Sequence, residues 1–177
     1  MRDILSLVVN PSLKGRCSFP PDIIARAEKY LAGIPSVGAY SESQGISVVR
    51  EEVVKFLEER DGFPADPANI FLTNGASDGV RLCMQTMMRD PASGFKDGCM
   101  TPIPQYPLYS ALITLLNGNF VPYHLDESKD WSCSEEELSA SLSKAQAEGV
   151  TVRALVIINP GNPTGTHVHI FILPTNY

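Results

Sequence analysis

The sequence has no CxxC pair, no apolar run long enough to cross a membrane and no excess of positive charge. Each lack removes a class of function. The four cysteines, Cys17, Cys83, Cys99 and Cys133, are scattered, which excludes zinc-finger spacing and a dense disulfide framework. Four reduced thiols in a reducing compartment are expected. A membrane helix needs about 18 or more consecutive apolar residues, and no such run occurs. The opening MRDILSLVVNPSLKG carries a short apolar run without a small-residue cleavage site, so no signal peptide is expected. A net charge of −6 argues against a general nucleic-acid binder, which needs a basic surface for phosphates. Repeats and low-complexity segments are absent as well.

What is present reads as a globular α/β chain. The 177 residues, 44% of them apolar, suffice for one domain with a core. FPPDIIARAEKYLAG spaces Ile23, Ile24, Ala27 and Leu31 as a helix does, with Pro21 in the first turn and Gly33 after the end. GISVVREEVVKFLEER repeats the pattern with Ile46, Val49, Val53 and Leu57 opposite a charged face. Strands and helices then alternate. NIFLT, GCMTPIP, NFVPYHL and VRALVIIN read as strands, the last buried on both faces. SDGVRLCMQTMMRD, LYSALITLLNG and SEEELSASLSKAQAEG read as helices. Gly118 is the expected stop of the second, and Ser134 with Glu137 a capping box for the third. Such alternation predicts a parallel sheet with ligands beyond the carboxyl ends of its strands.

Three loops fall at that edge. TNGASDG places Gly75, Ala76 and Ser77 where a helix opens, so backbone N–H groups and a hydroxyl can meet a phosphate. The plainer alternative is a Ser77 or Asp78 N-cap. PIPQYPLY holds Tyr106 between prolines, where it can stack on a planar ring or simply pack. Tyr109 is the better candidate for plain packing. NPGNPTG presents Asn159 and Asn162, as amide donors to a ligand oxygen or as turn residues satisfying backbone. SVGAYSESQG, between the first two helices, reads on its own as a solvated linker. A phosphate cradle, a stacking tyrosine and an amide donor on one edge describe a pocket for a flat phosphorylated aromatic such as pyridoxal phosphate.

NPGNPTG, TNGASDG and PIPQYPLYSA together resemble the class I/II aminotransferases of the fold-type I pyridoxal-phosphate enzymes. GAYSESQGI, REEV and RDGFPADPANIFLTNGAS are similar to the alanine aminotransferase branch. The resemblance runs from Arg2 to about Thr166. It implies a partial three-layer α/β/α sandwich, the fold-type I large domain, with N-terminal helices. It implies a helical segment over 1–65, a partial cofactor-binding domain over 66–166 and a divergent tail over 167–177. It implies pyridoxal 5′-phosphate as cofactor, with Ala76 and Ser77 on the phosphate, Tyr106 on the pyridine ring and Asn162 on its phenolic oxygen. Tyr40 would reach the phosphate of a neighbouring subunit in a homodimer. The implied reaction moves an amino group from L-alanine to 2-oxoglutarate. Amino acids and 2-oxo acids are the implied partners, with no nucleic acid and no membrane. The implied compartment is cytoplasmic or mitochondrial.

The resemblance also implies a Schiff-base lysine beyond NPGNPTG, an aspartate on the ring nitrogen and an arginine on the substrate carboxylate. The 11 residues after Thr166 contain no lysine, arginine or aspartate. The six lysines, Lys14, Lys29, Lys55, Lys96, Lys129 and Lys144, all precede that loop. No catalytic residue is therefore assigned. The chain is expected to be an N-terminal fragment, inactive alone; the alternative is a non-enzymatic fragment that associates with or modulates a full-length enzyme. His167 and His169 in the tail lack an evident third ligand, and no metal site is expected.

Overall fold

A computed structural model describes residues 1–34, 37–38 and 40–167. The tail beyond His167, with His169, lies outside the described residues, as do Pro35, Ser36 and Ala39 of the SVGAYSESQG loop. The chain forms two compact units, Met1–Asn74 and Gly75–Tyr177.

The first unit is helical. Helix α1 (Arg2–Val9) lies in the apolar run of the opening stretch and buries Ile4, Leu7 and Val8. They pack on Ala27 of α2 (Pro21–Gly33), with Ile23, Ile24, Tyr30 and Leu31 around it. Gly33 is the last helical residue rather than the one beyond. Helix α3 (Ser47–Asp61) ends on Gly62, whose φ of 75° is the left-handed C-terminal position.

NIFLT does not form a strand. Asn69 closes a 3-10 turn, Pro67–Asn69, and the residues after it form no ladder among the described residues. β-propensity alone makes no strand without a partner for the backbone groups. Leu72 N instead donates to Gln44 O at 2.8 Å. Gly45, at φ 101°, lies so close to Leu72 that a Cβ would come within 2.6 Å of Leu72 Cδ1.

The second unit begins with α4 (Ala76–Met87) and continues with β1 (Asp97–Ile103), α5 (Leu108–Leu115), β2 (Asn119–His124), α6 (Glu135–Ala147) and β3 (Thr151–Leu155). The strands form a parallel sheet in the order β2-β1-β3. Cys99 faces Met84 of α4 and Leu112 and Ile113 of α5. Met100, Val121 and Tyr123 face Ala145 of α6. Helices therefore cover both faces: this is a three-layer α/β/α arrangement. The two crossovers move in opposite directions along the sheet with helices on opposite faces, so they share one hand.

Two local expectations are corrected. VRALVIIN is a strand only over Thr151–Leu155, and it is half exposed because it lies at the edge of the sheet; Leu155 and Ile157 are each 44% exposed. Its register slips by one residue at Arg153, between the pairs Gly98–Val152 and Cys99–Ala154. The slip sends Val152 to the α6 face and Ala154 to the α4/α5 face. Helix α5 stops at Leu115, and Asn117, not Gly118, takes the positive φ of 52°. Asn is tolerated there because its short amide suits the left-handed region. Ser134 does cap α6, accepting from Glu137 N at 3.2 Å, while the Glu137 carboxylate accepts from His124 N at 2.7 Å.

Candidate functional site

The site is built in the second unit by strand ends. The connection after α4, which carries a 3-10 turn at Pro91–Ser93, leads to Asp97 at the start of β1, where Arg89 N donates to Asp97 Oδ2 at 2.9 Å. Met88 of this connection lies 3.5 Å from where a Cβ on Gly118 would be, next to the start of β2. Met84 and Val80 follow along the same apolar cluster. Helix α4 thus runs against the strands, and its N-terminus lies at the carboxyl edge of the sheet. The loops after β1 and β3 leave from that edge too, because the strands are parallel.

At this edge α4 opens on Gly75, with φ 84° and open space where a Cβ would be. The N-cap is this glycine, so Ser77 is not the cap; it sits in the first turn, exposed like Ala76. Helix geometry leaves the N–H groups of Ala76 and Ser77 without an intrahelical acceptor. Asp78, in the same turn, pairs with Arg81 at 2.6 Å. After β1, Tyr106 is 45% exposed, whereas Tyr109 packs into the α4/α5 cluster as expected. Beside Tyr106, the Gln105 amide oxygen is shielded from solvent and meets no donor among the described residues. Sequence reading passed over Gln105. After β3, Asn162 is exposed in a turn closed by Gly165 N donating to Gly161 O and Gly161 N donating to Thr166 O, each at 2.8 Å. Among the described residues, the loops of this edge carry the first N–H groups of α4, the Ser77 hydroxyl, the Tyr106 ring and the Asn162 amide, the kinds of group a phosphorylated, planar ligand would need.

Tyr40 belongs to the first unit. It is wholly exposed, with φ 70°, an uncommon conformation for a tyrosine. The loop that follows it is held by Arg50, 8% exposed, which donates to Gly45 O at 2.9 Å and Pro67 O at 2.7 Å and pairs with Glu42. The Arg50 guanidinium holds the Glu42 carboxyl below its ordinary pKa.

Sequence reading also missed the pairing at the opposite edge. Asp97, its side chain 2% exposed, accepts from Arg89 Nη2 at 2.6 Å and from Arg153 Nε at 3.0 Å. Hydrogen bonds from Arg89, then Arg153, hold the Asp97 carboxyl well below the usual range. A separation of 56 residues between Asp97 and Arg153 hides this pair from any local pattern. Among the described residues, no group of three or more His, Cys, Asp or Glu could hold a metal ion, and no helix is long and apolar enough to cross a membrane.

The sequence model of the family "Aminotransferase class I and II" matches residues 2–170. This chain belongs to the class I and II aminotransferases. Among curated aminotransferases, glutamate–glyoxylate aminotransferase 2 of Arabidopsis thaliana is 53% identical over 148 residues, covering 83% of this chain and 30% of that protein. The mitochondrial alanine aminotransferase 2 of the same plant is 48% identical over 170 residues, covering 93% of this chain and 31% of that protein. The chain therefore spans under a third of the length of these aminotransferases. Among solved structures, an alanine aminotransferase from Pyrococcus furiosus superposes with a TM-score of 0.63 at 22% identity, covering 96% of this chain and 43% of that one. That likeness shows the fold: the α/β/α unit has the fold-type I aminotransferase arrangement.

Proposed function

We propose that this chain forms the phosphate- and ring-contacting part of a pyridoxal-phosphate-dependent aminotransferase that exchanges an amino group between L-alanine and 2-oxoglutarate. The reading is supported by the sheet topology, in which the α4 N-terminus and the loops after β1 and β3 lie at the carboxyl edge, in a chain of this family. The N–H groups of Ala76 and Ser77 and the Ser77 hydroxyl would hold the phosphate. Tyr106 would stack on the ring, and Asn162 would donate to its phenolic oxygen. Bound there, pyridoxal phosphate supplies an electron sink that eases loss of a proton from the amino-acid α-carbon. Tyr40 would serve a second copy of the chain in a dimer. The names of the relatives support an amino acid and a 2-oxo acid as substrates, and a glutamate–glyoxylate pair is the second reading, from the relative with that name. One relative named mitochondrial supports a mitochondrial compartment beside a cytoplasmic one.

The polypeptide of this sequence should not turn over. None of its six lysines stands beyond the NPGNPTG loop, where the Schiff-base lysine is implied. Purified chain mixed with pyridoxal phosphate and reduced with borohydride should show sparse labelling spread over several lysines, and no alanine-dependent pyruvate. Measurable pyruvate formation would overturn the assignment of inactivity, and stoichiometric labelling of one lysine would show that the chain holds the cofactor in a defined pose.

A further inference from the structure

The central strand β1 contains a proline, Pro102, which ordinarily argues against a central position because proline has no N–H for the ladder. In a parallel ladder, a residue facing the neighbouring strand both donates to and accepts from it, and the next residue faces the other way. Met100 O accepts from Val156 N at 2.8 Å, so Met100 faces β3. Ile103 O accepts from Leu125 N at 2.9 Å, so Ile103 faces β2. Pro102 therefore faces β3, at the position whose N–H would donate to Val156 O. That donor does not exist.

The acceptor is nonetheless satisfied. Tyr123 Oη, from β2 on the far side of β1, donates to Val156 O at 2.7 Å. Tyr123 is 3% exposed, and its ring lies in the cluster of Met100, Val121, Ala145 and Val150. A phenylalanine would fill that core; only the hydroxyl reaches Val156. Burial, with Cys133 and Cys99 nearby, pushes the phenol pKa up, so it stays a donor. Val156 is the first residue after β3 and precedes the Asn159–Gly165 loop. By contrast, Pro122 in β2 alternates to the open edge of the sheet, where its missing N–H leaves no gap in the β1–β2 ladder.

We propose that Tyr123 is a positioning residue for the Asn162 loop: its hydroxyl replaces the N–H that Pro102 lacks, and so fixes where the loop leaves the sheet. The functional meaning of the loop rests on the cofactor reading above; the positioning itself does not. The test is hydrogen exchange on the full chain, comparing wild type, Tyr123→Phe, Pro102→Ala and the double variant, with pyridoxal phosphate titrations alongside. Tyr123→Phe should speed exchange roughly fivefold in peptides covering 156–166, as expected for the loss of one net hydrogen bond, and leave α6 peptides unchanged. Pro102→Ala supplies the backbone donor, so in its background Tyr123→Phe should have no local effect. Pyridoxal phosphate affinity should fall in Tyr123→Phe and return in the double variant. Faster exchange spread evenly over the unit, an unchanged loop, or no rescue by Pro102→Ala would each overturn the proposal. If wild type binds no pyridoxal phosphate while the local exchange effect and its rescue persist, the positioning role stands and the cofactor reading falls.

Discussion

Asp97→Ala should lower the thermal midpoint of the Gly75–Tyr177 unit by roughly 10–20 °C, the scale for breaking a buried charge pair in a domain of this size. The carboxylate is 2% exposed and joins three pieces of chain: the turn after α4 through Arg89, the start of β1, and β3 through Arg153. Its removal leaves the Arg89 and Arg153 guanidinium groups, 37% and 33% exposed, without their shared carboxylate. It also removes the partner that stabilises the register slip at Arg153, on which the facing of Ala154 depends. Asp97→Asn keeps the shape and should cost less. The pH dependence follows in sign. The folded-state pKa of Asp97 is depressed, so the unfolded chain takes up this proton first as pH falls. The stabilisation is fully present above the ordinary aspartate pKa of about 3.9 and is lost progressively below it. Thermal melts of wild type and Asp97→Ala should therefore converge as pH falls below about 4. A gap that stays constant from pH 7 to pH 3 would show that the ion pairs are not its source.

Ile113→Ala should cost about 2–5 kcal/mol, a large part of the stability of a single domain. Ile113 is fully buried between α5 and the sheet, among Met84, Cys99 and Leu112. Its Cγ2 lies 3.4 Å from where a Cβ on Gly118 would be. The strand below is held on both sides by ladders and α5 has only eight residues, so little can move in to fill the hole. Ile113→Val, which removes one methyl group, should cost about 0.5–1.5 kcal/mol. Urea titrations of both variants check the pair. Equal, small losses would mean that the α5 layer collapses onto the sheet after truncation.

The helices of the second unit were legible because their signals are local. Ser134 caps α6 through its own hydroxyl, and the apolar spacing in α4 and α5 needs no distant partner to be read. Where sequence reading failed, the deciding contact lay far off in the chain. NIFLT has strand chemistry but no ladder among the described residues. VRALVIIN is apolar enough for a central strand yet lies at an edge. The slip at Arg153 is tied to Asp97, and the end of the β1–β3 ladder to Pro102 and Tyr123, none of which is near in sequence. The loops at the carboxyl edge stood out because glycine, proline and asparagine punctuate them. What the punctuation could not show was that Gly75 would cap α4, leaving Ser77 clear of that task, or that Gln105 would hold a shielded amide oxygen beside Tyr106.

The proposed function has one sheet edge of this chain recognise pyridoxal phosphate through the α4 N-terminus, Tyr106 and Asn162. Its most direct test is a calorimetric titration of the purified chain with pyridoxal phosphate, repeated with Ser77→Ala, Tyr106→Ala and Asn162→Ala. Saturable one-to-one binding is expected in the wild type, weakened about 3- to 10-fold by each substitution, the scale of one lost hydrogen bond or stacking contact. Binding that is indifferent to all three substitutions would contradict it, because the cofactor would then be held elsewhere on the chain.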